Sequence, residues 1–158
     1  MIVLKIIAIG IGATLLVDLW GYVQSLFKIK SLDYRFVGRW IAGFPNGKFR
    51  HENIVKSPSI RGELLLGWTA HYLIGITFSF LLIILFGTNW IDKPEISSAL
   101  STGIISLLAP LFIMQPALGF GIGSSKLPNP NLRRFKSFLT HLIYGFGLYL
   151  SALLINQF

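Results

Sequence analysis

Ile2 to Phe27 is an almost unbroken apolar run of about 26 residues, which as a helix at 1.5 Å per residue is about 39 Å long. That crosses a hydrocarbon core of ~30 Å with some tilt. Three more such runs follow, giving expected spans over about 2–27, 64–86, 96–122 and 132–157. The sequence therefore predicts an all-α membrane protein, a four-transmembrane-helix bundle forming a single integral membrane domain over 1–158. A hydrophobic fraction of 53% against 13% charged residues agrees, because an ordinary soluble domain is far less apolar. The first run begins like a signal peptide, with Lys5 ahead of an apolar stretch. Its length, Asp18 and the lack of a small-x-small cleavage site favour a retained span.

The connections carry the charge. Residues 28–61 hold Lys28, Lys30, Arg35, Arg39, Lys48, Arg50, Lys56 and Arg61 against only Asp33 and Glu52, while the link after the second run holds Lys93 alone. Lys126, Arg133, Arg134 and Lys136 surround the third connection. The positive-inside rule then places the first and third connections in the cytoplasm and both termini on the periplasmic face of a bacterial inner membrane. Trp68 and Trp90 fit aromatic belts. In the long first connection, Leu32, Phe36 and Trp40 recur at helical spacing with Arg35 and Arg39 on another face, which suits a short cytoplasmic interfacial helix. Arg35, Arg39, Trp40 and Arg50 are its candidate contacts to lipid headgroups or a membrane partner. The formal charge of +8 does not point to nucleic acid, since the basic residues fill gaps between apolar runs.

Inside the spans three residues ionise readily, Asp18, His71 and His141, and a charged Asp at mid-bilayer costs roughly 2.5 to 3.5 kcal/mol on insertion scales. With Gln115 they give one polar residue per span, each roughly 12 to 15 Å from the cytoplasmic boundary. Small or polar neighbours share their faces: Gly10, Thr14 and Gly21 with Asp18, Gly67 and Gly75 with His71, Ser137 and Gly145 with His141. The four form a candidate ion, proton or ligand cluster. Equally, a buried Asp, two His and an amide can simply hold helices together. Pro110 and Pro116 should bend the third span and free the carbonyls of Ser106 and Phe112.

Other patterns carry less. There is no cysteine, so disulfides, thiolate nucleophiles and thiolate metal sites are excluded. Gly119-x-Gly-x-Gly123 ends a span and is not a dinucleotide fingerprint. His51 with Glu52, and Arg61 with Glu63, read as solvated pairs. No serine elbow, P-loop or zinc-helix motif is present, no catalytic residue stands out, and the sequence leans away from an enzyme. His71-x-x-x-Gly75 and His141-x-x-x-Gly145 hint at a parallel two-helix repeat.

Several blocks together look familiar: Gly-Ala-Thr-Leu-Leu-Val-Asp-Leu-Trp (12–20), Val-Gly-Arg-Trp (37–40), Arg-Gly-Glu (61–63), Gly-Trp-Thr-Ala-His-Tyr (67–72), Gln-Pro-Ala-Leu-Gly (115–119) and Pro-Asn-Pro-Asn-Leu (128–132). In these the chain resembles a bacterial inner-membrane family catalogued as domain of unknown function 2938. The resemblance implies a small four-span protein and brings no reaction, ligand or catalytic residue.

Three functions fit the residues. The first is a proton- or ion-linked transport or conduction module using Asp18, His71, Gln115 and His141, since a histidine changes charge near neutral pH. The second is an electron carrier with His71 and His141 as axial haem ligands; no other cofactor is expected, and a metal ligand set is undefined. The third is a non-catalytic assembly or lipid-interacting subunit, working through the basic connection on anionic lipids, a membrane partner or a second copy of the chain.

Overall fold

A computed structural model describes residues 1–29 and 31–157; Lys30, counted above in the basic connection, and Phe158, at the end of the fourth apolar run, lie outside the described residues. Seven α-helices are described: α1 (Ile2–Leu26), α2 (Tyr34–Ile41), α3 (Glu63–Phe86), α4 (Asn89–Asp92), α5 (Ile96–Ser106), α6 (Gln115–Ala117) and α7 (Pro130–Ile155). No strand occurs among the described residues. Four helical stretches are long and apolar enough to cross a membrane: Ile2–Leu26, Glu63–Phe86, Ile96–Ala117 and Pro130–Ile155. Their outward side chains are apolar too, Leu65 and Ile84 being 75% and 76% exposed, as befits a surface solvated by lipid.

The third stretch is composite. α5 gives way to a π-helical turn at Pro110–Met114 and then to α6. Proline lacks the N–H that regular pitch requires and crowds the preceding turn, so the helix widens there. The helix stops at Ala117, short of the expected Ile122. Gly119 adopts φ 86°, its N–H bonds the Pro116 carbonyl at 3.1 Å, and the Phe120 N–H bonds the Gln115 carbonyl at 2.9 Å. These two bonds with a left-handed glycine after the last turn make a Schellman stop. At the start of α7, Pro130 takes the first helical position, where its missing N–H is harmless.

The chain packs as two compact units. The first comprises 1–31, 72–106 and 138–158. Its core holds Ile9, Ala13, Leu82, Ala99, Leu148 and Ala152, all at most 1% exposed. Small residues let its helices approach closely: a β-carbon on Gly145 would lie 2.8 Å from the Ala99 carbonyl, and one on Gly147 would lie 2.8 Å from the Ala13 α-carbon. Hydroxyls reinforce the packing. Ser79 donates to the Ile6 carbonyl at 2.9 Å, and buried Tyr144 donates to the Gly75 carbonyl at 2.6 Å.

The second unit comprises 32–71 and 107–137. Asp33 caps α2 by accepting the Arg35 N–H at 3.0 Å. α2 then lies directly on the first turns of α3 through Gly38 and Gly67, where a methyl would overlap the Glu63 and Tyr34 carbonyls respectively. Residues 51–54 run against the end of the third stretch: the His51 N–H bonds the Ala117 carbonyl at 2.7 Å, and the Ile54 N–H bonds the Leu118 carbonyl at 3.0 Å. Val37, Ile54 and Leu118 fill the centre of this unit, each at most 3% exposed. Arg134 joins it by donating to the Gly123 carbonyl at 2.8 Å. The long basic connection is thus largely folded structure.

Candidate functional site

Each of the four mid-span polar residues has a hydroxyl partner, and they divide between the units. In the first unit Tyr72 donates to the Asp18 carboxylate at 2.7 Å, and Ser106 lies 2.6 Å from His141 Nδ1 while its hydroxyl reaches the Gly103 carbonyl at 2.7 Å. In the second unit the Tyr34 hydroxyl lies 3.1 Å from His71 Nε2, with its ring centroid 4.4 Å from the imidazole and 4.6 Å from Trp68. Ser124 donates to Gln115 Oε1 at 3.0 Å. Sequence reasoning found the ionisable members and missed their partners, because Tyr72, Tyr34, Ser106 and Ser124 look like ordinary span or boundary residues. Among the described residues no group of three or more His, Cys, Asp or Glu is placed to hold a metal ion.

The four expected headgroup contacts fare differently. Arg39 is 7% exposed and does not face lipid headgroups: its guanidinium clasps Glu63 at 2.8 and 2.9 Å and also donates to the Ile54 and Ser57 carbonyls at 2.9 and 2.7 Å. Glu63, expected beside Arg61 as a solvated pair, turns inward because Arg39 and the Ile60 N–H together satisfy its carboxylate. That hydrogen-bonded carboxylate raises Arg39 above its already high ordinary pKa. Trp40 uses its indole N–H on the Phe49 carbonyl at 2.8 Å. Arg35 is exposed and pairs with Asp33 at 2.8 Å, which holds the Asp33 carboxyl below the usual range.

Arg50 is exposed and lines a groove of about 600 Å³ with Phe49, Phe112, Ile113, Pro116, Ile122 and Lys126. The π-helical turn builds one wall by presenting consecutive Phe112 and Ile113 outward, 56% and 62% exposed. Phe49 and Ile122, 62% and 59% exposed, add apolar surface, and Arg50 and Lys126 supply two cations. Phe112 and Lys126 carry no sequence signal for this, since they are brought to Arg50 only by the pairing of 51–54 with 117–118.

His51, read from sequence as half of a solvated pair with Glu52, is 5% exposed and lies apart from bulk water while Glu52 is exposed. Its burial follows from the backbone bond to Ala117. Burial pushes its imidazole below the ordinary value, and Lys48 and Arg39 push it the same way.

No curated protein and no solved structure matches the chain. A family model matches over residues 7–155, nearly the whole chain, and so the chain belongs to the family described as Protein of unknown function (DUF2938).

Proposed function

We propose that the chain is a lipid-interacting membrane subunit whose groove holds an anionic phospholipid in the cytoplasmic leaflet of a bacterial inner membrane. The observation that carries this reading is the groove itself, where Arg50 and Lys126 sit beside the apolar wall of Phe49, Phe112, Ile113 and Ile122. An acyl chain gains little by leaving bulk lipid for an apolar wall, because both are equally apolar. Selection therefore falls to the headgroup. Each Lys or Arg near an anionic headgroup contributes about 1 kcal/mol, and a guanidinium matches phosphate geometry with two parallel hydrogen bonds. Two cations give a preference of about 30-fold for an anionic over a zwitterionic lipid. The lysine and arginine asymmetry of the connections supports the cytoplasmic side.

The test is lipid competition on protein reconstituted in nanodiscs, with phosphatidylglycerol against phosphatidylcholine and bound lipid read by native mass spectrometry. Wild type retains phosphatidylglycerol, and Arg50→Gln with Lys126→Gln lowers the preference toward one. Equal retention of the two lipids by wild type refutes the reading.

A second reading, proton- or ion-linked conduction, is favoured by one observation. Tyr72 donates to Asp18 at 2.7 Å within a span-forming unit, which puts a phenol and a carboxylate in proton-exchange contact. Unchanged proton and metal-ion flux into vesicles for Asp18→Asn and His71→Ala rejects it. A hydrogen bond at one ring nitrogen is what orients a ligating imidazole, so the contacts of Tyr34 with His71 and of Ser106 with His141 leave the haem alternative standing. A Soret band on haem addition would support it, and its absence would reject it.

A further inference from the structure

Trp40 does not line the groove, yet its indole is bonded to a residue that does. After α2 the chain turns back on itself. The Asn46 and Lys48 N–H groups both bond the Gly43 carbonyl at 3.0 Å, and Gly47 takes the left-handed conformation, φ 69°, that lets the turn close. Phe49 therefore returns beside the helix that the chain has just left, and there its carbonyl accepts the Trp40 indole N–H at 2.8 Å. The rings follow the same order. Trp40 stands edge-on to Phe44 with centroids 5.1 Å apart, and Phe44 packs against Phe49 at 5.3 Å.

The Phe49 carbonyl belongs to the peptide that carries the Arg50 nitrogen. The next peptide carries the His51 N–H, which bonds the Ala117 carbonyl at 2.7 Å. A peptide is planar, so holding the planes on both sides of Arg50 fixes its two backbone torsions and with them the direction of its Cα–Cβ bond. Lys126, the other cation of the groove, is held in the same way: its own N–H bonds the Phe120 carbonyl at 2.9 Å, and the Leu127 N–H bonds the Ser124 carbonyl at 2.9 Å. Neither cation makes an ion pair among the described residues. A long side chain on a fixed backbone has less freedom to lose on meeting an anion than one on a mobile loop. Of the four bonds that fix the two cations, three join main chain to main chain. The fourth depends on a side chain, that of Trp40.

We propose that Trp40 is a positioning residue for the groove, setting its preference for an anionic lipid through Arg50. The inference rests on the groove reading and adds to it a residue outside the groove. With the indole N–H in place the 49–50 peptide is held, and Arg50 meets the phosphate of the lipid that Lys126 also contacts. Without it the Phe49 carbonyl turns to water, the 49–50 peptide rotates, and Arg50 meets headgroups at large like any exposed arginine.

Competition of phosphatidylglycerol against phosphatidylcholine, on the full chain in nanodiscs with native mass spectrometry, tests this through Trp40→Phe, which removes the N–H and keeps an aromatic ring against Phe44. Two cations give a preference of ~30-fold and one gives ~5-fold, so Trp40→Phe is expected to lower the preference by about threefold or more, toward that of Arg50→Gln. The decisive variant is Trp40→Phe with Arg50→Gln. It is expected to match Arg50→Gln alone, because a positioning residue then has nothing left to position. General loosening of the unit would disturb Lys126 as well and carry the double variant further, toward no preference. A Trp40→Phe variant with the wild-type preference overturns the proposal, and so does a double variant below Arg50→Gln. Both results leave the groove reading standing; a wild type without any preference overturns the two together.

Discussion

Replacing Arg39 by methionine should loosen the second unit from the α2 end. Arg39 and Glu63 are each 7% exposed, and the guanidinium makes four hydrogen bonds, two to Glu63 and two to the Ile54 and Ser57 carbonyls. Methionine retains most of the aliphatic stem and removes all four donors. The Glu63 carboxylate is left with the Ile60 N–H at 2.9 Å as its remaining hydrogen bond among those described. Removing one member of a buried ion pair costs about 3 to 5 kcal/mol, mostly as the penalty of stranding the other charge. At 1.4 kcal/mol per decade, amide exchange protection around Ile54 and Glu63 should fall by about two to three and a half decades. Hydrogen exchange read by mass spectrometry reports this locally, without requiring two-state unfolding of the whole protein. Arg39→Met with Glu63→Leu should recover most of the loss, since an apolar pair replaces a buried ion pair at little cost. A single variant that exchanges like wild type, or a double variant no better than the single, would refute the account.

Gly38→Ala should detach α2 from α3, because a methyl there overlaps the Glu63 carbonyl; proteolysis in the 42–62 segment at otherwise native conditions would report it. His51 is neutral in the fold at a pH where the unfolded chain holds its proton, so the unfolded state binds more protons. Stability of the second unit is then fully present above about pH 6.5 and falls as pH drops through the lowered folded value, and thermal melts at pH 5 and 7.5 should converge in His51→Gln. Ser106→Ala removes the hydroxyl 2.6 Å from His141 and should cost about 1 to 3 kcal/mol, measurable as a lower melting midpoint in detergent.

The fold class was legible because hydrophobic run length is a one-dimensional signal. Four apolar runs and one amphipathic stretch at 32–40 correspond to four helices able to span a membrane and to α2. Pro110 and Pro116 also announced a departure from regular helix, although not its form as a wide turn followed by a glycine stop. The site was less legible, for a physical reason. Whether a charge faces solvent depends on partners distant in sequence, and nothing near Arg39 reveals that Glu63, 24 residues on, turns inward to meet it. His51 was misread likewise, since its burial follows from a backbone bond to Ala117 across 66 residues. Asp18 stood out as expensive in lipid, yet its partner Tyr72 did not, because a tyrosine inside a span has many ordinary uses.

The contact at Gly38 and Gly67 sets backbone against backbone, and the Arg39–Glu63 pair ties α2 to the start of α3 beside it. Side chains yield by changing rotamer; peptide planes in contact do not. What looks in sequence like a slack tether is therefore close-packed on the first turns of a membrane-length helix, and α2 has little room to slide over it.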